Sequence, residues 1–578
     1  MPLGPSGGPA AFLQVDPRCS ATVIAGTKNA GLFRSRDGGE SWTPLPFPPR
    51  MRAALHALVL DWQTPDVILA GLSGESPDYT GILRSADGGV TWRQLPGLRG
   101  KEVRAIAIWR EDSRVIAAGA HDGVYLTRDG GTNWSRISPF ENPGLRPVVS
   151  LAFHPADSNV IYAGTPHLPW KTVNGGVTWR RIDAGMLDDS DIFSIQVDRD
   201  HPESVFAAAC SGIYRSLDGG STWVKMRGAK GASYRSYTIV QHPLRANVFY
   251  AGTTHGLAKS EDGGTTWEMV APYTTRGISF DLAHVGRIFA ATDEAGILRS
   301  DNNGKNWREV NRGFCNRVLS WLAVGDGGNL YANEVDGKHG TTLRLNSAAG
   351  LWDKVPSGPS RPANPLGVQN PERVLAATDA TLLVSDDAGA TWKKVDLPEL
   401  NAGIRAFAVV DARGIAVITT SQTFFWSSDA TTWQAGGHLP SGLDVHGLVA
   451  TGGNSWLMAT SSGLLGSKDL GDSWQPIQGE IQGNTITAIC RRPTRPSVLF
   501  LSRYGIVYTS SDYGHSWAKV SVRPLPSDKI KQLVVVPGQP DRLFALTESL
   551  GVYVLTLDTA EREPAGLVAR FPDDSSEK

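Results

Sequence analysis

An all-β chain folded as two consecutive β-propellers of four-stranded blades is predicted by three observations. Twelve tryptophans recur at a pitch of roughly 40–50 residues: Trp42, Trp92, Trp134, Trp179, Trp223, Trp267, Trp307, Trp352, Trp392, Trp433, Trp474 and Trp517. Between them lie short β-branched and aromatic runs separated by polar turns. Glycine (64) and proline (36) are abundant, yet they fall at repeating turn positions, which means many short strands and not disorder.

The fourth repeat, 148–182, shows the unit. VSLAF reads as a first strand, HPADSN as a turn and VIYAGT as a second strand; a loop, PHLPW, leads to a third, and NGG turns the chain into VTWRRI. Four antiparallel strands make one blade. The turn before each tryptophan follows Ser/Thr-x-Asp-Gly-Gly-x-Thr/Ser-Trp. Its acids are Asp37, Asp87, Asp129, Asp218 and Asp262, then Asp387, Asp469 and Asp512. Each is expected to accept from backbone N–H groups two residues on, with the glycines supplying positive φ. Each indole is expected to fill the space between adjacent blades, where truncation costs ~3–5 kcal/mol. The pattern decays in places: Asn174 and Asn302 replace the acid, 345–352 has lost it, and 427–433 is one residue short. A thirteenth unit, LVVVPGQPDRLFALTESLGVYVLTLD, keeps its strands without a tryptophan.

Thirteen units exceed the usual four to eight blades of one ring. The seventh motif ends near Arg312 and the first badly degraded one follows. That places seven blades in 1–314 and six or seven in 315–578.

Composition excludes several classes. A net charge of -1 offers no general attraction to nucleic acid or anionic membranes, and no apolar run reaches the ~18 residues of a membrane span. The cysteines (Cys19, Cys210, Cys315, Cys490) lack metal or redox spacing, and no phosphate-cradling loop, nucleophile elbow or HExxH occurs. No cofactor and no metal are expected. The first residues, MPLGPSGGPAAFLQVDP, lack a basic stretch and a long apolar run, which points to the cytoplasm. Export is the alternative, because the first repeat begins almost at once and a start codon placed too late would remove a leader. The oligomeric state is left open.

Candidate binding residues lie where each outer strand returns to the next inner strand, since those loops share one face around the channel. They include Arg50, Arg52, Arg99, Arg104, Arg146, Arg227, Lys230, Arg235 and Arg276. The position that starts the inner strand is His56 in blade two, Arg104 in blade three and Arg276 in blade seven. Guanidinium forks there suit carboxylates or phosphates. Tyr79 and Trp170, in loops between second and third strands, suit blade packing and are also candidates to grip a partner or stack on a sugar. Trp62, Trp109, Trp321, Trp426 and Trp456 also lie outside the repeat motif and suit blade packing. Asp188, Asp189 and Asp191 read as a solvated loop, because they lack a Gly-centred calcium pattern. Asp198, Asp200 and His201 read as turn-formers.

The turn motif resembles the Asp-box, or bacterial neuraminidase repeat, over nearly the whole chain. That resemblance implies a propeller whose motif aspartates lie away from the functional face. Secreted xyloglucanases are similar in having two such propellers, and they imply a catalytic aspartate in the first repeat. Here the matching stretch, 26–31, is Gly-Thr-Lys-Asn-Ala-Gly, with Lys28 at that position. Sialidases share the turn but carry an Arg-Ile-Pro-type segment that this chain lacks. The first-ring units look most like photosystem II assembly factors and sortilin-like receptors, which bind proteins without catalysis. A single large ring of the sortilin type is the alternative architecture. The expected function is therefore a non-catalytic binding or assembly platform for a protein or glycan, on the propeller faces or between the rings. The alternative is a glycoside hydrolase with a non-standard carboxylate pair.

Overall fold

The computed structural model describes residues 2–47, 53–187, 190–226, 234–324, 330–336, 339–346, 351–354, 364–368, 374–378, 381–385, 391, 393–395, 404–410, 414–419, 423–428, 432–439, 442–479, 481–503, 505–520, 529–536, 539, 542–548 and 550–557. Among them are thirteen sheets, each of four antiparallel strands, as consecutive propellers require. The helical turns among these residues are two 3-10 turns, Pro77–Tyr79 and Pro143–Leu145.

The chain divides into two compact units, Ser6–Asn316 and a second made of Met1–Pro5 with Arg317–Lys578. The first holds seven sheets and the second six. These units differ from 1–314 and 315–578 chiefly at the start of the chain, and strand pairing gives the reason. Pro2–Gly4 is the outermost strand of the last blade, beside Val552–Thr556, with Pro2 opposite Tyr553 and Gly4 opposite Val552. Leu3 packs against the Leu319–Val552 cluster, and its carbonyl accepts from Trp352 Nε1 at 3.0 Å. The thirteenth repeat supplies three strands, and the chain's own beginning supplies the fourth.

In the first unit, blade one runs Phe12–Val15, Val23–Gly26, Leu32–Ser35 and Thr43–Pro44, and blades two to seven repeat that order. Burial follows position in the blade. Second strands such as Val205–Ala209 and Ile288–Thr292 are buried at every residue, because neighbouring blades cover both faces. They are rich in alanine and glycine for the same reason. A Cβ on Gly119 would come within 2.6 Å of Val148 in the next blade. Inner strands such as Ile192–Val197 leave intermediate positions, as strands around an axial opening must.

The tryptophan turns are built differently from an Asx-turn. In blade one the Ser35 hydroxyl accepts from Gly39 N at 2.8 Å and donates to Asp37 at 2.7 Å. Asp37 accepts the backbone N–H of Ser41 at 2.9 Å and its hydroxyl at 2.5 Å. The acid therefore spans four residues instead of two, and the hydroxyl before it is an equal partner. Gly39 sits at φ 89°, where a Cβ would strike Phe289 at 2.6 Å, so two constraints select glycine. The same bonds recur around Asp87, Asp129, Asp218, Asp262, Asp469 and Asp512. Asn174 and Asn302 keep the backbone half of the pattern, accepting from Thr178 N and Asn306 N at 2.9 Å. Asp387 and Trp392 lie outside the described residues.

Indole placement varies. Trp42 (2% exposed) and Trp223 (3%) are buried and donate across to the preceding blade, at Val310 O and Ile182 O, each at 2.7 Å. Trp92, Trp134, Trp267, Trp307, Trp474 and Trp517 donate instead to the carbonyl of the glycine three residues earlier in their own turn. A second interblade device involves the residue before the turn serine or threonine. Arg34 reaches Gly88 O at 3.1 Å, Lys171 reaches Gly219 O at 2.8 Å, and Arg299 reaches Gly38 O at 2.7 Å. Each cation ties its blade to the next turn.

Every blade of the first unit is one continuous stretch of chain, so no shared strand closes blade seven on blade one. Backbone bonds (Ala10 N to Thr292 O at 2.9 Å, Trp42 N to Arg312 O at 2.8 Å) and side chains seal that seam. Phe314 is fully buried against Phe33 and Trp42, with ring centroids 4.8 and 6.3 Å away. Glu40 binds Arg299 at 2.9 Å and Arg308 at 2.5 Å.

Acid should loosen the turns together. Hydrogen bonds from Thr91 and Thr222, side chain before backbone, hold Asp87 and Asp218 at about 2, and the Asn133 backbone N–H leads the same shift at Asp129. A carboxylate depressed on folding stabilises the fold above its unfolded value of ~3.9 and loses that contribution as pH falls through the folded value. Thermal unfolding midpoints should therefore fall steeply between about pH 4 and pH 2. A flat profile there would contradict these turn bonds.

Candidate functional site

Alternation of antiparallel strands places the start of each inner strand and the turn between second and third strands on one face. The tryptophan turns lie on the other face. Backbone bonds pin the two elements of the first face together: His121 N to Glu102 O, Cys210 N to Asp191 O, Thr254 N to Arg235 O and Asp293 N to Thr274 O, all 2.9–3.0 Å.

At this point five inner strands of the first unit carry the same irregularity. Register shifts by one residue between Leu55 and Ala57, Val103 and Ala105, Ile192 and Ser194, Ser236 and Thr238, and Thr275 and Gly277. The extra residues are His56, Arg104, Phe193, Tyr237 and Arg276. A bulge leaves its residue outside the ladder and re-aims the side chain, which is why bulges gather at binding sites. Three of the five positions, His56, Arg104 and Arg276, are the inner-strand starts singled out from sequence.

Their side chains form a continuous arc. Arg235 Nη2 meets Asp191 at 3.3 Å, while its guanidinium lies over Phe193 at 4.8 Å and Tyr237 at 6.0 Å. Arg276 stacks on Tyr237 at 3.7 Å, and Asp293 grips its Nε and Nη2 at 2.6–3.0 Å. Burial alone would lower the Arg276 pKa; the Asp293 hydrogen bonds and charge outweigh it and raise the value. Lys28, in the turn after Val23–Gly26, comes next. Loss of hydration, then the Arg276 charge, hold its ammonium below the ordinary value, with Asp293 opposing. His56 follows, with Nε2 2.8 Å from Ser73 Oγ. Burial and then Arg104 lower its pKa, Glu102 raises it, and Lys28 lowers it further. Arg104 Nη2 closes the arc on Glu102 at 3.0 Å.

The other candidates stand apart from these contacts. Arg50, Arg52, Arg227, Lys230, Asp188 and Asp189 lie outside the described residues. Arg99 pairs with Asp78, and Arg146 is exposed at the end of the second 3-10 turn. Tyr79 ends the first 3-10 turn, half-buried. Trp170 is a correction: it belongs to the third strand, Pro169–Thr172, and not to a loop. It faces Ala163 and Arg181 in the ladder and packs on the Leu145–Val148 cluster, with its buried Nε1 unpartnered. Trp321 and Trp456 are buried, Trp109 and Trp426 pack on clusters that span neighbouring blades, and Trp62 is 43% exposed beneath Arg110. Asp198 accepts from Asp200 N and His201 N, a turn. Among the described residues no group of three His, Cys, Asp or Glu side chains converges as for a metal ion, and no helix is long and apolar enough to cross a membrane.

Solved structures share this architecture along its length. A GH74 enzyme of Niastella koreensis matches with a TM-score of 0.73 and 16% identity, covering 96% of this chain and 98% of that one. The GH74 xyloglucanase of Xanthomonas campestris matches with 0.69 and 17%, covering 95% and 98%. PorZ, a surface component of the type-IX secretion system of Porphyromonas gingivalis, matches with 0.52 and 11%, covering 98% and 82%. The likeness is one of fold. No protein-family model and no curated protein matches the chain.

Proposed function

We propose that this chain is a non-catalytic binding platform that holds a protein partner at the first-ring mouth. The observation that carries the reading is the content of the bulge positions together with Arg235 beside them. Two guanidiniums are stacked on aromatic rings and locked by carboxylates, which makes a rigid surface of the residue types that dominate protein recognition. A glycosidase needs two carboxyl groups flanking the scissile bond, one of them free to donate a proton. In the mouth Asp191, Asp293 and Glu102 each already accept from an arginine, and Lys28 stands where the resemblance to xyloglucanases implies aspartate. The resemblance of the first-ring repeats to assembly-factor and sortilin-like propellers supports the same reading. Full-length likeness in fold to GH74 enzymes supports the second one, a glycoside hydrolase with an unconventional carboxyl pair. Incubation with xyloglucan and other β-glucans should release no reducing ends above buffer. Steady release that survives purification to homogeneity makes the hydrolase reading correct.

A further inference from the structure

Lys28 is the cation in the arc with no carboxylate at ion-pair distance; Asp293, already clamped on Arg276, offsets its charge only in part. Arg104, Arg235 and Arg276 each have a carboxylate within 3.3 Å, whereas Lys28 forms no ion pair among the described residues. Its carbonyl accepts from Leu55 N at 2.9 Å, next to the His56 bulge, and the Arg276 charge acts on its ammonium from the seventh blade. An ammonium crowded by like charge and short of water is a cost the free protein carries, and a bound anion removes it. The flanking guanidiniums are prepared for the same event. Asp293 occupies Nε and Nη2 of Arg276, leaving the Nη1 end outside that clamp, and Arg104 Nε is buried without a partner.

We propose that the first-ring mouth binds an acidic polypeptide segment, with one carboxylate at Lys28 and others along the arc toward Arg104 and Arg276. This rests on the binding-platform reading and names its ligand chemistry. An extended acidic chain fits because the cations come from separate blades, so one small anion cannot meet them all. A sugar fits less well. Glycans are held by open aromatic faces, and here Arg276 covers a face of Tyr237, Arg235 lies on Phe193, and His255 stacks on Tyr234 at 3.7 Å.

The test titrates the full-length protein into fluorescein-labelled oligoglutamate and follows anisotropy at low and physiological salt. Wild-type protein should bind, with affinity falling as salt rises. Lys28→Glu should weaken binding by about tenfold or more, one decade being ~1.4 kcal/mol. Lys28→Arg should retain it. Lys305→Glu, on the face of the tryptophan turns, should leave it unchanged, and unfolding midpoints should show all three variants folded. Equal binding by Lys28→Glu, or an equal loss in Lys305→Glu, overturns the assignment. So does binding of a Gly-Ser peptide as tight as that of oligoglutamate. Tighter binding of oligogalacturonate replaces the polypeptide with an acidic glycan and leaves the platform reading intact. Release of reducing ends from xyloglucan defeats the platform reading itself, whatever oligoglutamate does.

Discussion

Removing residues 1–5, with the initiator methionine placed before Ser6, should destabilise the second unit by roughly 3 kcal/mol and leave the first unchanged. The loss combines the ladder bonds of Pro2–Gly4, the packing of Leu3 and the Trp352 bond to Leu3 O. A neutral hydrogen bond contributes about 1 kcal/mol and a partly buried leucine about 1.5 kcal/mol. The deletion also bares the edge of Val552–Thr556, an invitation to pair with another chain. Hydrogen exchange should show those amides losing protection while Leu32–Ser35 keeps it. If both segments exchange as in the full chain, the N-terminal strand is not what completes the last blade.

The second large effect concerns the seam of the first unit. Trp42→Ala removes a fully packed indole, its bond to Val310 O and its edge contact with Phe314, at a cost of about 3–5 kcal/mol. Denaturant unfolding is expected to have separable phases, because two compact units need not unfold together. Trp42→Ala should shift the phase that belongs to Ser6–Asn316, and Trp517→Ala the other. Should both substitutions move the same phase equally, the units unfold as one and the seam has no separate role.

Most of the architecture was legible because it repeats. Twelve indoles and their turns set the blade period, and every described sheet obeys it. Less periodic features escaped. Pro2–Gly4 is three residues of no pattern, so its place beside Val552–Thr556 could not be read from the N-terminus. The turn aspartates read as two-residue bridges because Asx-turns are local; the hydroxyl that precedes each of them, from Ser35 to Ser510, is the signal for the longer bridge. Arg34, Lys171 and Arg299 occupy one repeat position, yet a cation beside a polar turn reads as solvent-facing until its partner blade is known. Trp170 reads as a loop residue in PHLPW, yet the proline before it already begins the strand. At the site, the inner-strand position was visible at His56, Arg104 and Arg276. Phe193 and Tyr237 share it but look like ordinary strand residues until a bulge lifts them from the ladder. Lys28 was legible only as a missing carboxylate; its crowded charge needed coordinates.

Synthesis from the N-terminus gives the closing strand an unusual history. The seven-sheet unit is complete once Asn316 has left the ribosome, so it can fold while translation continues. Pro2–Gly4 is made well before its docking place at Val552–Thr556. Those residues wait without that partner until the thirteenth repeat emerges, and the other unit cannot seal before then.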